Sequence, residues 1–78
     1  MTMLNSEQFQ AAQNVKKRYE KQWLNIKGVL SVGIGRVNNK AGIIIMVNKN
    51  KFHKKVLIPS VVEDVPVEIQ YSDELKAL

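Results

Sequence analysis

Residues 28–48 read GVLSVGIGRVNNKAGIIIMVN, and this stretch decides the fold. Residues 29–37 predict a first β-strand, in which the alternation of side chains puts Gly33 and Gly35 on the same face. A turn is expected at residues 38–41, because Asn tolerates the positive φ angles that tight hairpins require. The stretch therefore predicts a β-hairpin around which the rest of the chain packs.

The second strand of this hairpin is predicted at residues 42–48, and five successive residues in it, 43–47, are apolar. Such a run indicates burial on both faces of the sheet. A single helix covers only one face, so the other must be covered by later segments of the chain or by another subunit. We therefore expect a homodimer through the apolar sheet surface.

A long helix is predicted at residues 5–27. Asn5 suits the N-cap, with Gln8 three residues later and Leu4 placed to pack on Phe9. Apolar side chains recur at steps of three or four and predict one buried stripe. This stripe consists of Phe9, Ala12, Val15, Tyr19, Trp23 and Ile26. Gly28 is placed to end the helix in a left-handed conformation.

Two aromatic residues of this stripe are assigned a structural role. Tyr19 and Trp23 lie in step with the apolar positions, which favours packing against the sheet over stacking on a ligand. Glycine weakens a strand unless another group must approach closely. We therefore expect the helix to cross the sheet over Gly33 and Gly35, with an aromatic ring on the bare backbone.

The remaining chain predicts a third strand at residues 65–71 and a tail at residues 72–78. Pro66 lacks an N–H group, which favours an edge strand or the first position of a strand. The order α-β-β-β predicts one α+β domain over residues 1–78. It consists of a long N-terminal helix packed on a three-stranded, mainly antiparallel sheet, in which the first strand lies between the second and third.

The composition limits the kinds of bond and metal site that the protein can contain, and it indicates a location. The 78 residues include no cysteine, which excludes disulfides and thiolate metal sites. No apolar run approaches the length of a membrane span, and the N-terminal residues lack the pattern of a signal peptide. We expect a cytoplasmic protein that does not bind membranes.

Charge is distributed unevenly. Residues 16–55 contain eleven of the twelve Lys and Arg residues and one acid, whereas residues 56–78 contain five acids and one Lys. A basic surface attracts anionic partners such as nucleic acids. The candidate contacts are the basic loop, residues 48–55, and one helix face. They comprise Lys49, Lys51, Phe52, Lys54, Lys55, Lys17, Arg18 and Lys21. Phe52 is either a stacking ring for bases or an anchor that folds back onto the core.

Catalytic, cofactor and metal sites are not indicated. Gly33 and Gly35 begin like a dinucleotide-binding fingerprint, but a second strand follows them where that motif requires a helix. His53 is the one histidine, and lysines surround it without an acid nearby. We therefore predict a protein that is not an enzyme and has no catalytic residue, cofactor or metal.

One family resemblance can be drawn from four short motifs. They are Val29-x-x-Val32-Gly33-x-Gly35, Ile43-x-Ile45-x-Val47, Leu57-x-Pro59 and Val65-Pro66-Val67-x-Ile69. Together they resemble a small bacterial segment found, among other places, ahead of some trypsin-like serine peptidase domains. Leu30 and Ser31 stand where that segment has a glycine, and so does Asp64. The resemblance implies a compact α+β unit with a regulatory or interaction role and carries over no catalytic residue.

Two functions remain after these arguments. The preferred one is a small protein-interaction or regulatory module that forms a homodimer. The alternative is a nucleic-acid-binding protein that uses the basic loop.

Overall fold

The computed structural model describes residues 6–53, 56 and 58–72. Within these residues, one helix is followed by four strands, of which the third is very short. The elements are α1 (Ser6–Leu24), β1 (Val29–Val37), β2 (Lys40–Asn48), β3 (Val61–Val62) and β4 (Val65–Ser72). The α+β class is confirmed, but the sheet has four strands where the sequence predicts three. The predicted cap at Asn5, its neighbour Leu4 and residues 73–78 of the tail lie outside the described residues.

Helix α1 ends three residues earlier than predicted. After Leu24, the amide of Ile26 donates to the carbonyl of Trp23 at 3.0 Å, which is a tighter turn than an α-helix makes. The amide of Val29 then donates to the carbonyl of Ile26, and Gly28 adopts a φ of +93°. The left-handed glycine is present, but it reverses the chain after a short irregular segment instead of directly capping the helix.

Strands β1 and β2 form the predicted antiparallel hairpin, and their turn is shorter than predicted. Asn38 and Asn39 alone connect the strands, with φ angles of 52° and 66°. Positive φ at both central residues is the signature of a type I′ turn, whose twist matches that of the flanking strands. Lys40 and Ala41 therefore belong to β2. An irregularity between Val29 and Ser31 interrupts the pairing near the other end.

The predicted strand order is wrong. The sheet order is β1-β2-β4-β3, so the predicted third strand, β4, pairs with β2 instead of β1. This pairing is parallel, from Ile43 beside Val67 to Asn48 beside Ser72, and the sheet is therefore mixed. The physical reason is burial, because the most apolar strand excludes most water when it has a neighbour on each side.

Pro66 lies near the start of β4, which has a neighbouring strand on each side. It nevertheless removes no hydrogen bond from the ladder between β2 and β4. It pairs with Val61 of β3, while the pairing of β4 with β2 begins one residue later, at Val67. The amide of Val67 donates to the carbonyl of Ser60 at 2.8 Å. The missing N–H group thus lies just before the parallel ladder, where a proline is tolerated.

The hydrophobic core lies between α1 and one face of the sheet. Ile43, Ile45 and Val47 are fully buried there, together with Val15 of the helix, and Trp23 is buried beside them. Alternation along β2 places Ile44 and Met46 on the opposite face. The apolar run of β2 is therefore divided between a buried face and a face that α1 does not cover.

The expected contact between aromatic rings and the strand glycines is wrong. Gly33 pairs with Ile44 and Gly35 pairs with Gly42, so both glycines belong to the face away from α1. A Cβ atom built on Gly33 meets no heavy atom within 4 Å. The helix packs instead on the face that carries the larger β-branched side chains, because that face offers more apolar area to bury.

Candidate functional site

The sheet face that α1 does not cover, called the open face below, is shaped by its glycines. A Cβ atom on Gly35 would lie 2.5 Å from the Cδ1 atom of Ile44, and one on Gly42 would lie 2.9 Å from Val37. The side chains of Ile44 and Val37 therefore lie over bare backbone of the neighbouring strand. This arrangement shelters part of the apolar surface of the open face.

The open face is nearly uncharged compared with the rest of the molecule. The pairing register assigns to it Ser31, Gly33, Gly35 and Val37 of β1, Lys40, Gly42, Ile44 and Met46 of β2, and Pro66, Glu68 and Gln70 of β4. Lys40 and Glu68 are its two charged residues and have opposite signs. Ile44 and Met46 remain half-buried at its centre. The surface is flat, weakly apolar and has no net charge.

A groove runs between α1 and β1 and is called the α1–β1 groove. Its volume is about 460 Å³. Polar side chains of the helix line it above a single apolar residue of the strand. They are Gln10, Gln13, Asn14, Lys16, Lys17 and Glu20, and the strand residue is Ile34. Lys16 and Glu20 form an ion pair at 3.0 Å, while Lys17 is exposed. The groove lining is therefore polar, with one net positive charge that Lys17 carries.

The outer side of β1 borders this groove. β1 is the first strand in the sheet order, and no strand within the described residues pairs with its outer side. The two-residue turn makes Val37 and Lys40 a hydrogen-bonded pair, and such pairs alternate along an antiparallel ladder. The backbone groups of Val32 and Ile34 therefore point away from β2. A sheet edge of this kind is a template for strand pairing.

The basic loop is organised by a buried asparagine. The amides of Lys51 and Phe52 donate to the carbonyl of Asn48 at 3.0 and 2.8 Å, and the amide of Asn50 donates to its Oδ1 atom at 2.8 Å. The amide of Asn48 donates to the carbonyl of Gly28 at 2.7 Å, which ties the loop to the chain after α1. The start of the loop is thus a compact turn.

The predicted nucleic-acid contacts are only partly brought together. Lys49 and Lys51 are exposed, whereas Phe52 is 6% exposed and belongs to the core, with its ring 6.2 Å from that of Tyr71. Stacking of a base on Phe52 would require the ring to leave the core. Lys54 and Lys55 lie outside the described residues. On the helix, Lys17, Arg18 and Lys21 are exposed.

Arg18 has a partner that the sequence did not indicate. Its Nη1 atom donates to the Oε2 atom of Glu63 at 2.7 Å, and the hydroxyl of Tyr19 donates to the same oxygen at 3.3 Å. Glu63 and Asp64 form a second two-residue turn, with φ angles of 51° and 67°. These contacts attach the β3–β4 turn to one side of α1, opposite the side that lines the groove.

The two predicted structural aromatics do meet. The rings of Tyr19 and Trp23 are stacked, with centroids 5.3 Å apart and planes 21° from parallel. Trp23 is buried, and Tyr19 is half-buried against the core. Both rings pack inside the fold, although on the face opposite the glycines.

Sequence reasoning missed the α1–β1 groove. A signal was present, because Gln10, Gln13, Asn14 and Lys17 follow the spacing of one helical face. That spacing identifies a shared face but not what lies beside it. Only the placement of β1 at the sheet edge turns the polar face into the wall of a groove.

The described residues lack the features of a metal site and of a membrane-spanning helix. They contain no group of three or more His, Cys, Asp or Glu side chains arranged to hold a metal ion. Within the same part of the chain, no helix is both long and apolar enough to cross a membrane.

Comparisons with known proteins complete the description of the site. No protein-family model matches this chain, nor does any curated protein or solved structure. The resemblance to a peptidase-associated segment therefore stays a prediction.

Proposed function

We propose that this chain is a small, non-enzymatic protein-interaction or regulatory module that forms a homodimer through its open face. The observation that carries this proposal is the half-covered sheet. One face is buried by α1, and within the described residues the other face leaves Ile44 and Met46 half-buried at its centre. Apolar residues without full cover are typical of interaction surfaces.

Charge favours a second copy as the occupant of this face. The protein has a net charge of +5, so most ways of bringing two copies together are repulsive. Among the described residues, the charged residues of the open face are Lys40 and Glu68, whose charges cancel. Depletion of charge at the centre of a contact is the compositional signature of protein interfaces.

The size of the open face sets the expected strength of the dimer. Three strands spaced about 4.8 Å apart and some nine residues long give a footprint of roughly 400 Å². A standard interface buries about 800 Å² on each partner. The dimer should therefore be weak and should depend on protein concentration.

Sedimentation velocity over a wide concentration range tests the proposal. The wild-type sedimentation coefficient should increase with concentration, whereas Met46→Glu should remain monomeric, because the substitution places a charge at the centre of the contact. Leu24→Glu is the matched control, since Leu24 is an apolar residue of α1 that is 41% exposed. It should dimerise like the wild type. A wild-type protein that stays monomeric at millimolar concentration contradicts the proposal.

The alternative proposal is a nucleic-acid-binding protein that uses the basic loop. The exposure of Lys49 and Lys51 supports it, and the burial of Phe52 removes its only stacking ring. What remains is attraction between lysines and phosphates, which decreases steeply with salt. A titration with labelled single-stranded RNA at low and high salt tests this alternative, and absence of binding at low salt excludes it.

A further inference from the structure

We propose that the outer side of β1 binds an extended, acidic segment of a partner protein, which adds to the sheet as an extra strand beneath α1. This inference rests on the proposed interaction function and names the chemistry of the partner. It concerns the sheet edge and the α1–β1 groove, and it reaches the open face, through which the dimer is proposed to form, only at the β1 margin beside Gly33.

The backbone of β1 provides the first part of the argument. Val32 and Ile34 direct their N–H and C=O groups away from β2, and no described strand accepts them. Neighbouring donors and acceptors of this kind are matched by another extended backbone. A nucleic acid offers no such alternating pattern of peptide groups, so the edge favours a polypeptide.

The α1–β1 groove provides the second part. Residues of an added strand that pair directly with Val32 and Ile34 point to the same side of the sheet as those residues, which is the side of α1. They therefore enter the groove beside Lys17 and Gln13, next to the ion pair of Lys16 with Glu20. Carboxylates at these positions of the partner are matched by the ammonium group of Lys17 and the amide of Gln13.

The intervening residues of the added strand meet a different surface. They point to the open face, beside Gly33, where a Cβ atom finds nothing within 4 Å. This space admits branched apolar side chains without displacing any group of the protein. The two sides together specify a partner in which acidic residues alternate with apolar ones.

The distribution of charge favours an acidic partner over a second copy of this chain. Residues 10–37, which include β1 and most of α1, contain six basic residues and one acid. Lys16 is paired with Glu20 and Arg18 with Glu63, so Lys17 carries the net positive charge of the groove lining. The far side of the sheet, residues 61–72, contains three acids and no basic residue. Pairing of β1 with β1 of a second copy would bring two positively charged grooves together, which is unfavourable.

The test uses the ¹⁵N-labelled full chain and an octapeptide in which Glu alternates with Val. We expect selective shifts of the Val32 and Ile34 amide signals and slower hydrogen exchange at both amides. Three matched peptides separate the contributions. A peptide with Lys in place of Glu should not bind. A peptide N-methylated at the amides that face β1 should not bind either. A peptide N-methylated at the amides that face away from β1 should bind.

Two protein variants distinguish binding of the peptide in the groove from general attraction between opposite charges. Lys17→Glu should weaken binding about fivefold, as expected for reversal of one exposed charge in contact with the peptide. Lys51→Glu makes the same change of net charge in the basic loop, outside the groove, and should bind like the wild type. Both residues are exposed, so neither substitution threatens the fold.

Several outcomes would overturn the inference. One is the absence of peptide binding, and another is an equal effect of the two charge reversals. A third is binding that survives N-methylation along the pairing edge. Protection of Val32 and Ile34 that increases with protein concentration in the absence of peptide would assign the edge to a second copy. Displacement of the peptide by single-stranded RNA would assign it to nucleic acid. Failure here with a dimer still present in sedimentation removes this inference and leaves the proposed function.

Discussion

Gly28 connects α1 to β1 in a backbone conformation that side chains rarely adopt. Its φ is +93°, and a Cβ atom there would lie 2.5 Å from the N and Cα atoms of Phe52. The carbonyl of Gly28 also accepts the amide hydrogen bond of Asn48. One residue therefore joins the end of the helix, the start of the hairpin and the basic loop.

We predict that Gly28→Ala lowers the free energy of unfolding by about 3 kcal/mol, because left-handed strain adds to a clash with backbone atoms that cannot rotate away. Gly33→Ala is the matched control, since its Cβ atom enters open space. It should be neutral or stabilise by up to about 1 kcal/mol, because alanine restricts the unfolded chain. Urea denaturation measures both. Equal midpoints for the two variants would contradict this explanation.

Glu63 adopts a φ of 51°, a conformation that Asn or Gly would adopt more readily. Asp64, with a φ of 67°, tolerates this region better. The carboxylate of Glu63 accepts hydrogen bonds from Arg18 and Tyr19. The side chains of Arg18 and Glu63 are 60% and 41% exposed, so their ion pair contributes little to stability, and its main effect is to orient the turn.

At the scale of elements, the contact between α1 and the sheet depends on few large side chains. Trp23 is 3% exposed and packs in the same cluster as Ile43 and Ile45. Of the other buried helix residues, Ala12 and Val15, neither has an aromatic side chain. The indole therefore provides much of the area that holds the helix on the sheet.

We predict that Trp23→Ala costs about 3–5 kcal/mol, the range for truncation of a buried aromatic residue. Leu24→Ala, at the neighbouring position, should cost less than about 1 kcal/mol, because Leu24 is 41% exposed. Thermal denaturation followed by circular dichroism distinguishes them. A Trp23→Ala protein that melts with the wild type would show that the indole does not hold the helix in place.

At this scale, the pairing of the strands could be predicted only in part from the sequence. The hairpin of β1 and β2 could be predicted because its turn residues and its strands are adjacent in the chain. The position of β4 could not, because the 16 residues 49–64 separate the end of β2 from the first residue of β4, and alternation along β4 is compatible with a neighbour on either side. The continuous apolar run of β2 was the available signal for a central strand.

At the scale of the whole molecule, the mixed sheet separates charge. β1, beside Lys17 of the α1–β1 groove, lies at one edge, and the acidic β3–β4 hairpin, whose Glu63 binds Arg18, lies at the other. The open face between them has no net charge. This arrangement distinguishes a surface suited to a second copy from an edge suited to an acidic partner, and it follows from the strand order.

Formation of the proposed dimer should also affect the melting temperature. Because only folded chains dimerise, the melting temperature should increase with protein concentration, by up to about 4 °C for a tenfold increase. Met46→Glu should melt at the same temperature at every concentration. Calorimetry at several concentrations provides the measurement. A wild-type melting temperature that does not depend on concentration would argue against association of the folded state.

By itself, the sequence determined those features that depend on neighbouring residues. They are the α+β class, the turn at Asn38 and Asn39, the left-handed Gly28, and the inward stripe of α1 from Ala12 to Trp23. Phe9, which was predicted to belong to that stripe, is 44% exposed. Steric limits on φ, local hydrogen bonds and side-chain periodicity act within a few residues, so they can be read directly from the chain. The tertiary structure alone decided which face α1 covers, which strand lies beside β4, and that Phe52 is buried. These choices depend on the total area that distant segments bury together, and no single stretch of the chain contains that sum.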